Sequence, residues 1–445
     1  MMPPRRTLCF VASCFLQHWQ WGAQEGCGVE PRHPVSPALC SKSRRDRRSS
    51  SDLRMGTAGT GASSLWVADD DPELRLCPAG DPVCSPQGFL LAFPPGPYTC
   101  LRTVEHRSAA MLDFHLNRLW ESATTTGFNP AARSESRISL ERRTTDTVTR
   151  TMEAFLSANA DTEGGCPECM VTVLLYSELP RPDLKGGRAN QGAEARASGL
   201  QGATNLHILA HAWPLSSPKF GAQISELDVL VAGSRRMLPE AKHSSWLRDR
   251  RPLDKLKAQA HAQEVLLSDT ATSPEGVTRR AVLEGLTSNV FVVEEDGAVL
   301  TAPSGVLMGG MRQLCISACE QEGIAVRLES PDLSRARYWR EAFLTGTGRI
   351  LASITAVQIP DHEGIGRTDE RIGNEGAVTR LQLPTPAGGS VPTLGSCGSE
   401  SPSSTSEAAL TPRSAALGES ERQSVAQRLR SRMVAELELG ATRLF

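Results

Sequence analysis

A chain of 445 residues, 39% of them hydrophobic, can bury a sizeable core, and its length implies two or three structural units rather than one. A formal net charge of −2, with 48 basic residues against 50 acidic ones, argues against nucleic acid or an anionic membrane as the main partner. No apolar run approaches the roughly 20 residues that a membrane helix needs, so no membrane partner is expected.

Residues 1–60 read as a targeting or disordered leader. Arg5, Arg6, Lys42, Arg44, Arg45, Arg47, Arg48 and Arg54 outnumber the acids there, and Ser49, Ser50 and Ser51 follow, as in organellar transit peptides. An organelle is expected, a plastid ahead of a mitochondrion, with the cytoplasm as the alternative. The apolar run Leu8–Leu16 after Arg5-Arg6 also resembles a secretory core, which leaves a bipartite leader open. Twelve cysteines follow no even ladder of spacings and suit a reducing compartment. Cys166-Pro167-Glu168-Cys169 is a lone pair that supplies half a tetrahedral site, so a structural role is expected and no metal site is assigned.

An N-terminal α/β domain is expected over 86–213. Gly88–Phe93 and Tyr98–Val104 read as two strands around a Pro-rich breaker. Met111, Leu112, His115, Leu116, Leu119 and Ala123 recur at helical spacing, with Gly127 as a C-cap. A second helix is expected over Asp146–Ala158, and strands over Met170–Tyr176 and Asn205–Trp213. Arg181–Ala203 has no period and reads as a loop insertion. A linker near Pro214–Pro218 leads to a second domain over 219–380. Strands are expected there at Leu227–Val231, Glu264–Ser268, Glu341–Leu344 and Ser353–Ile359, a helix over Arg312–Glu322, and a helix start at Ser330-Pro331. Residues 381–445 read as a low-complexity tail whose last stretch, Val425–Leu439, is amphipathic. Both insertion and tail are expected to be dispensable.

The informative stretch is Leu283-Glu284-Gly285-Leu286-Thr287-Ser288-Asn289-Val290-Phe291, where an acid at the edge of an apolar run meets a tight turn and a strand. The order places a buried-looking acid beside a tight turn, and pattern alone equally allows a strand, a turn and a strand with Glu284 at an exposed tip. It stands between Lys242-His243-Ser244-Ser245-Trp246 and two later segments, Met308-Gly309-Gly310-Met311-Arg312 and Thr345-Gly346-Thr347-Gly348-Arg349. Taken in order with His115-Leu116-Asn117-Arg118, these segments resemble the class IV aminotransferases. That group uses pyridoxal 5'-phosphate and includes branched-chain and D-amino-acid aminotransferases and aminodeoxychorismate lyases.

The resemblance implies an α/β (α+β) fold of type IV, with a smaller N-terminal domain, a larger β-barrel-like C-terminal domain and a homodimeric assembly. It implies transfer of an amino group between an amino acid and a 2-oxo acid, with a lyase of the aminodeoxychorismate type and a non-catalytic relative as alternatives. Lys242 matches the family's Schiff-base lysine and Glu284 its acid at the pyridine nitrogen; Ser288 and Asn289 complete that motif. Arg118 and Thr347, with Gly348, match phosphate-binding positions. Gly310 and Met311 replace the family's apolar-Thr pair, which keeps the backbone donors of a helix start and removes a hydroxyl. Trp246 and Arg349 are candidate substrate contacts, Arg349 because a guanidinium pairs well with a carboxylate.

Overall fold

The computed structural model describes residues 63–69, 75–77, 82–128, 135–162, 165–177, 206–215, 224–272, 278–360, 378–384 and 424–445. The expected leader, the insertion at 181–203 and nearly all of the low-complexity stretch after 384 lie outside the described residues. Among those described, no helix is long and apolar enough to cross a membrane.

The first sheet has seven strands: β1 (Leu65–Ala68), β2 (Arg75–Leu76), β3 (Tyr98–Val104), β4 (Ser108–Ala109), β5 (Cys169–Ser177), β6 (Leu206–Pro214) and β16 (Thr442–Arg443). Their order is β16-β4-β3-β5-β6-β1-β2. Side chains alternate faces along a strand, and both faces are covered. Leu101, Val171, Val173 and Ile208 pack against α2 (Leu112–Thr125) and α3 (Arg137–Ala158), while Leu174 and Leu209 meet Phe89 and Leu90 of α1 (Pro86–Ala92). Two expectations are corrected here. Of the expected strand Gly88–Phe93, all but Phe93 is helical, because Ser85 caps the helix by accepting from the Gly88 N–H at 3.0 Å and Pro86 opens its first turn. The domain also begins before residue 86, since β1 pairs with β6 and buries Leu65 and Val67.

The second sheet closes on itself. β7 (Ser225–Val231), β8 (Glu264–Thr272), β9 (Thr278–Gly285), β10 (Asn289–Val293), β13 (Glu341–Gly346) and β14 (Ile350–Pro360) form a six-stranded barrel in the order β10-β13-β14-β7-β8-β9, with β9 returning to β10 through Glu284 and Asn289. β11 (Val299–Leu300), β12 (Val326–Arg327) and β15 (Val378–Gln382) extend it. Val290 and Val292 point to one core with Val229, Val231 and Leu344. Phe291 and Val293 point the other way, under α6 (Gly310–Gln321), and Phe291 stacks on Phe343 at 5.3 Å. The turn expected to start a helix at Ser330 is instead capped by Asp332, which accepts from the Ser334 N–H and opens a 3-10 segment at Leu333–Tyr338.

The chain's last stretch is not a dispensable tail. Val425–Leu439 forms α7, closed at its start by a reciprocal Ser424–Gln427 capping box. Ala426, Leu429, Met433 and Leu437 lie in the same core as α6, Phe291, Phe343 and Leu351. β16 then pairs with β4 of the first sheet, and Leu444 donates its N–H to the Arg107 carbonyl at 3.1 Å. Residues near the C-terminus thus join the barrel to the other sheet. Leu429→Ala, at a position with no solvent exposure, is expected to lower unfolding free energy by about 2–5 kcal/mol, read from denaturant midpoints. A chain lacking 424–445 is expected not to yield stable soluble protein; a truncated chain with the parental midpoint would refute the integral role.

Candidate active site

Lys242 is placed by backbone hydrogen bonds to β3. The Tyr98 N–H donates to the Lys242 carbonyl at 2.9 Å, the Ser244 N–H to the Gly96 carbonyl at 2.9 Å, and the Gly96 N–H to Ser244 Oγ at 3.0 Å. The Lys242 N–H itself donates to Ser122 Oγ of α2 at 3.0 Å. A residue after the barrel strand β7 is therefore clamped to the first sheet, and its Nζ lies 4.6 Å from the Tyr98 ring centre.

Glu284 ends β9 and is 3% exposed, so it is not the exposed tip that the pattern alone allowed. Arg236 Nε donates to Oε1 at 2.7 Å and the Leu307 N–H to Oε2 at 2.9 Å. Burial pushes the Glu284 pKa above the ordinary carboxylate value, opposed by the charge and hydrogen bond of Arg236, the Leu307 N–H and the Lys242 charge. Arg236 also donates to the Pro239 carbonyl at 2.7 Å and lies over the Trp246 ring, so it is held on several sides. Sequence reading missed Arg236. Its only signal is a double arginine after β7.

The turn after Glu284 serves the scaffold as well as the cleft. Thr287 and Ser288 donate to Glu264 Oε2 at 2.9 and 3.1 Å, and Asn289 Nδ2 donates to the Leu307 carbonyl at 2.7 Å. Ser288 and Asn289 line the cleft, yet these polar groups already have protein partners. Trp246 likewise lines it while donating Nε1–H to the Leu286 carbonyl at 2.9 Å.

At the other end, α6 starts at Gly310, two residues before the expected Arg312, with Gly309 as its cap and no side-chain acceptor. The first N–H groups of such a helix lack intrahelical partners and favour an anion. Close approach explains both glycines: a Cβ on Gly309 would stand 2.4 Å from Asn289 Oδ1, and one on Gly310 would stand 3.0 Å from the Phe114 ring. Arg118, over that same ring at 5.1 Å, is buried, and its Nε has no hydrogen-bond partner. Burial pulls its pKa down to about 10, which leaves it charged at neutral pH. No carboxylate pairs with it among the described residues. Thr345 Oγ1 is a second buried polar atom in the cleft without a partner among the described residues, and sequence reading passed it over.

Lys242, Glu284, Arg118, Gly310, Met311 and Thr347 line one cleft of about 610 Å³. A second cavity of about 970 Å³ shares Lys242, Tyr98 and Thr347 with it and adds Gly348, Arg349, Arg250, Met170 and Leu90. Among the described residues, no acidic side chain lines this second cavity. The hydroxyl of Thr347 donates to the Cys100 carbonyl at 3.3 Å, which ties the turn between β13 and β14 to β3. Orphaned polar atoms on Arg118 and Thr345, beside a glycine-lined helix start, fit a phosphate; the Lys242 amine and the Glu284 carboxylate fit an aldehyde and a ring nitrogen. Cys166 and Cys169 stand apart at the start of β5, and burial pushes the Cys169 thiol pKa up. No cluster that could hold a metal ion occurs among the described residues.

The family described as amino-transferase class IV matches residues 96–357. No curated protein is significantly similar to the chain. Among solved structures, the branched-chain aminotransferase of Thermoproteus uzoniensis is 21% identical, covering 66% of this chain and 88% of that one, with a TM-score of 0.45. A fold IV transaminase of Curtobacterium pusillum is 19% identical over 66% and 90% of the two chains, with a TM-score of 0.44. The Escherichia coli branched-chain aminotransferase is 18% identical over 68% and 87%, with a TM-score of 0.43.

Arg236→Met would leave the buried Glu284 carboxylate without its cation, a change that costs about 3–5 kcal/mol in comparable pairs. Losing the first-named lowering influence raises the folded pKa further. A carboxyl with a raised folded pKa loses stability as pH rises from its unfolded to its folded value. The deficit is therefore expected to be larger at neutral than at mildly acidic pH, measured by denaturant unfolding. An equal deficit at both would mean that Arg236 does not bear on Glu284 ionisation.

Proposed function

The chain belongs to the class IV aminotransferases, and on that premise we propose that it is a pyridoxal-phosphate-dependent aminotransferase acting between an amino acid and a 2-oxo acid. The observation that carries this reading is the buried Arg118, a cation without a carboxylate partner in the same cleft as the open start of α6, Lys242 and Glu284. Arg118, the N–H groups at Gly310 and Met311, and Thr345 and Thr347 would hold the phosphate. Glu284 would meet the pyridine nitrogen and Lys242 the aldehyde. When bound, the cofactor supplies an electron sink for charge left at the substrate Cα.

The chain's own groups do the rest. Lys242 is the amine positioned to take a proton from the substrate Cα and return it elsewhere, and its backbone clamp to Gly96 and Tyr98 keeps its attachment point from drifting. Arg236 and the Leu307 N–H orient the Glu284 carboxylate and favour its charged form. The second cavity offers Arg349, since Arg250 is already paired with Asp254 at 3.2 Å, and no acid lines it among the described residues, which suits a substrate that carries a carboxylate.

Lys242→Ala is expected to retain cofactor through the phosphate contacts while losing the visible absorbance of a lysine-bound cofactor and nearly all turnover. Glu284→Gln should keep that absorbance and slow substrate Cα deprotonation sharply. Borohydride trapping on a different lysine, or parental turnover in Glu284→Gln, would end the proposal. Donors of both hands assayed against several oxo acids, with pyruvate release followed alongside, separate transamination from lyase chemistry.

Arg349 is exposed at the rim of the second cavity. Arg349→Ala is expected to raise KM for carboxylate donors about 10-fold, with a smaller change in kcat. An unchanged KM for monocarboxylic and dicarboxylic donors alike would assign it to the surface.

A further inference from the structure

A cation that reads a phosphate has to be aimed as well as charged. Arg118 Nη2 lies 2.7 Å from Thr99 Oγ1 and 3.1 Å from His115 Nδ1, and those two atoms lie 2.9 Å from each other. The protons in this triangle follow from chemistry. A guanidinium has donors only, so Nη2 donates to both neighbours. Nδ1 of His115 must then carry a lone pair, which places the ring proton on Nε2. The Thr99 hydroxyl accepts from Nη2 and turns its own proton to Nδ1. Nδ1 has a single lone pair, which Nη2–H and the Thr99 hydroxyl proton share.

The triangle holds no negative charge. His115 is 1% exposed, and burial, followed by the charges of Arg118 and Lys242, holds its pKa well below the ordinary imidazole value, so it is neutral. A carboxylate at the same place would grip the guanidinium more firmly, yet it would cancel the charge and repel an incoming phosphate. Neutral acceptors orient the arginine and leave its charge available. The arrangement depends on two elements meeting: Thr99 on β3, on the face opposite Tyr98 and Cys100, and His115 one turn before Arg118 on α2.

We infer that Thr99 and His115 are positioning residues for phosphate recognition, a neutral clamp that presents the Arg118 guanidinium to the phosphate of the cofactor. The inference rests on the cofactor reading given above. Neither residue touches the reacting atoms; both act through Arg118.

The test uses the full chain stripped of cofactor and titrated with pyridoxal phosphate and, separately, with pyridoxal, which has the same aldehyde and ring and no phosphate. Thr99→Val keeps the shape and removes the hydroxyl; His115→Leu removes the ring acceptor; His115→Asn restores an acceptor near Nδ1. Thr99→Val and His115→Leu are each expected to weaken pyridoxal phosphate binding about 10-fold, to leave pyridoxal binding unchanged and to move the phosphorus resonance of the bound phosphate. His115→Asn is expected to recover most of the affinity. Equal losses for both compounds would show a general packing role and overturn the inference, as would unchanged pyridoxal phosphate affinity in Thr99→Val. A parental chain that binds neither compound would overturn the cofactor reading and the inference together.

Discussion

The site depends on a short backbone ladder between Gly96–Tyr98 and Lys242–Ser244. A cleft between two sheets is only as precise as the register of those sheets, and side chains at its rim cannot set that register alone. Here main-chain hydrogen bonds carry Lys242 across the gap, and Ser244 Oγ and Ser122 Oγ each take a further N–H. The amine therefore projects from a fixed base, over the Tyr98 ring. Preorganisation of this kind fixes where a side chain starts before any ligand arrives.

Charge is distributed to match. At one end the buried Glu284 is oriented by an arginine and a backbone N–H, so its geometry is settled before any ligand arrives. The other end has the buried Arg118 held by neutral groups and a helix start with no side-chain cap. One end is internally compensated and the other is left cationic. A ligand with an anionic group at one end would meet unequal partners at the two ends of the cleft. The cleft thus reads direction through electrostatics as well as shape.

Much of this was legible in the sequence where a local pattern and a local cause coincide. Strand β5 and helix α2 follow their own periodicity, and Lys242, Glu284, Gly310 and Thr347 fall in motifs whose order alone suggested a shared cleft. Legibility failed where the deciding partner was distant or lay just outside the window. The apolar run Gly88–Phe93 is too short for its period to separate helix from strand; the decision lay upstream at Ser85 and Pro86. Arg236, Glu264 and Thr345 have no meaning until β7, β8 and β13 are brought beside the Glu284 turn. Leu429, Met433 and Leu437 show a helical face, but α6 and Leu351, which cover it, are far away in sequence.

Strand β16 gives the first sheet a property that its own domain cannot provide. Thr442 and Arg443 cap an edge at β4 that would otherwise present unpaired N–H and C=O groups. During synthesis, β4 leaves the ribosome long before β16 exists. The nascent sheet must wait with that edge open while the entire barrel is translated, and its closure is a late, long-range event. A chaperone that shields a strand edge would have its clearest target in that interval, on the N-terminal half of a chain whose C-terminal half is still being made.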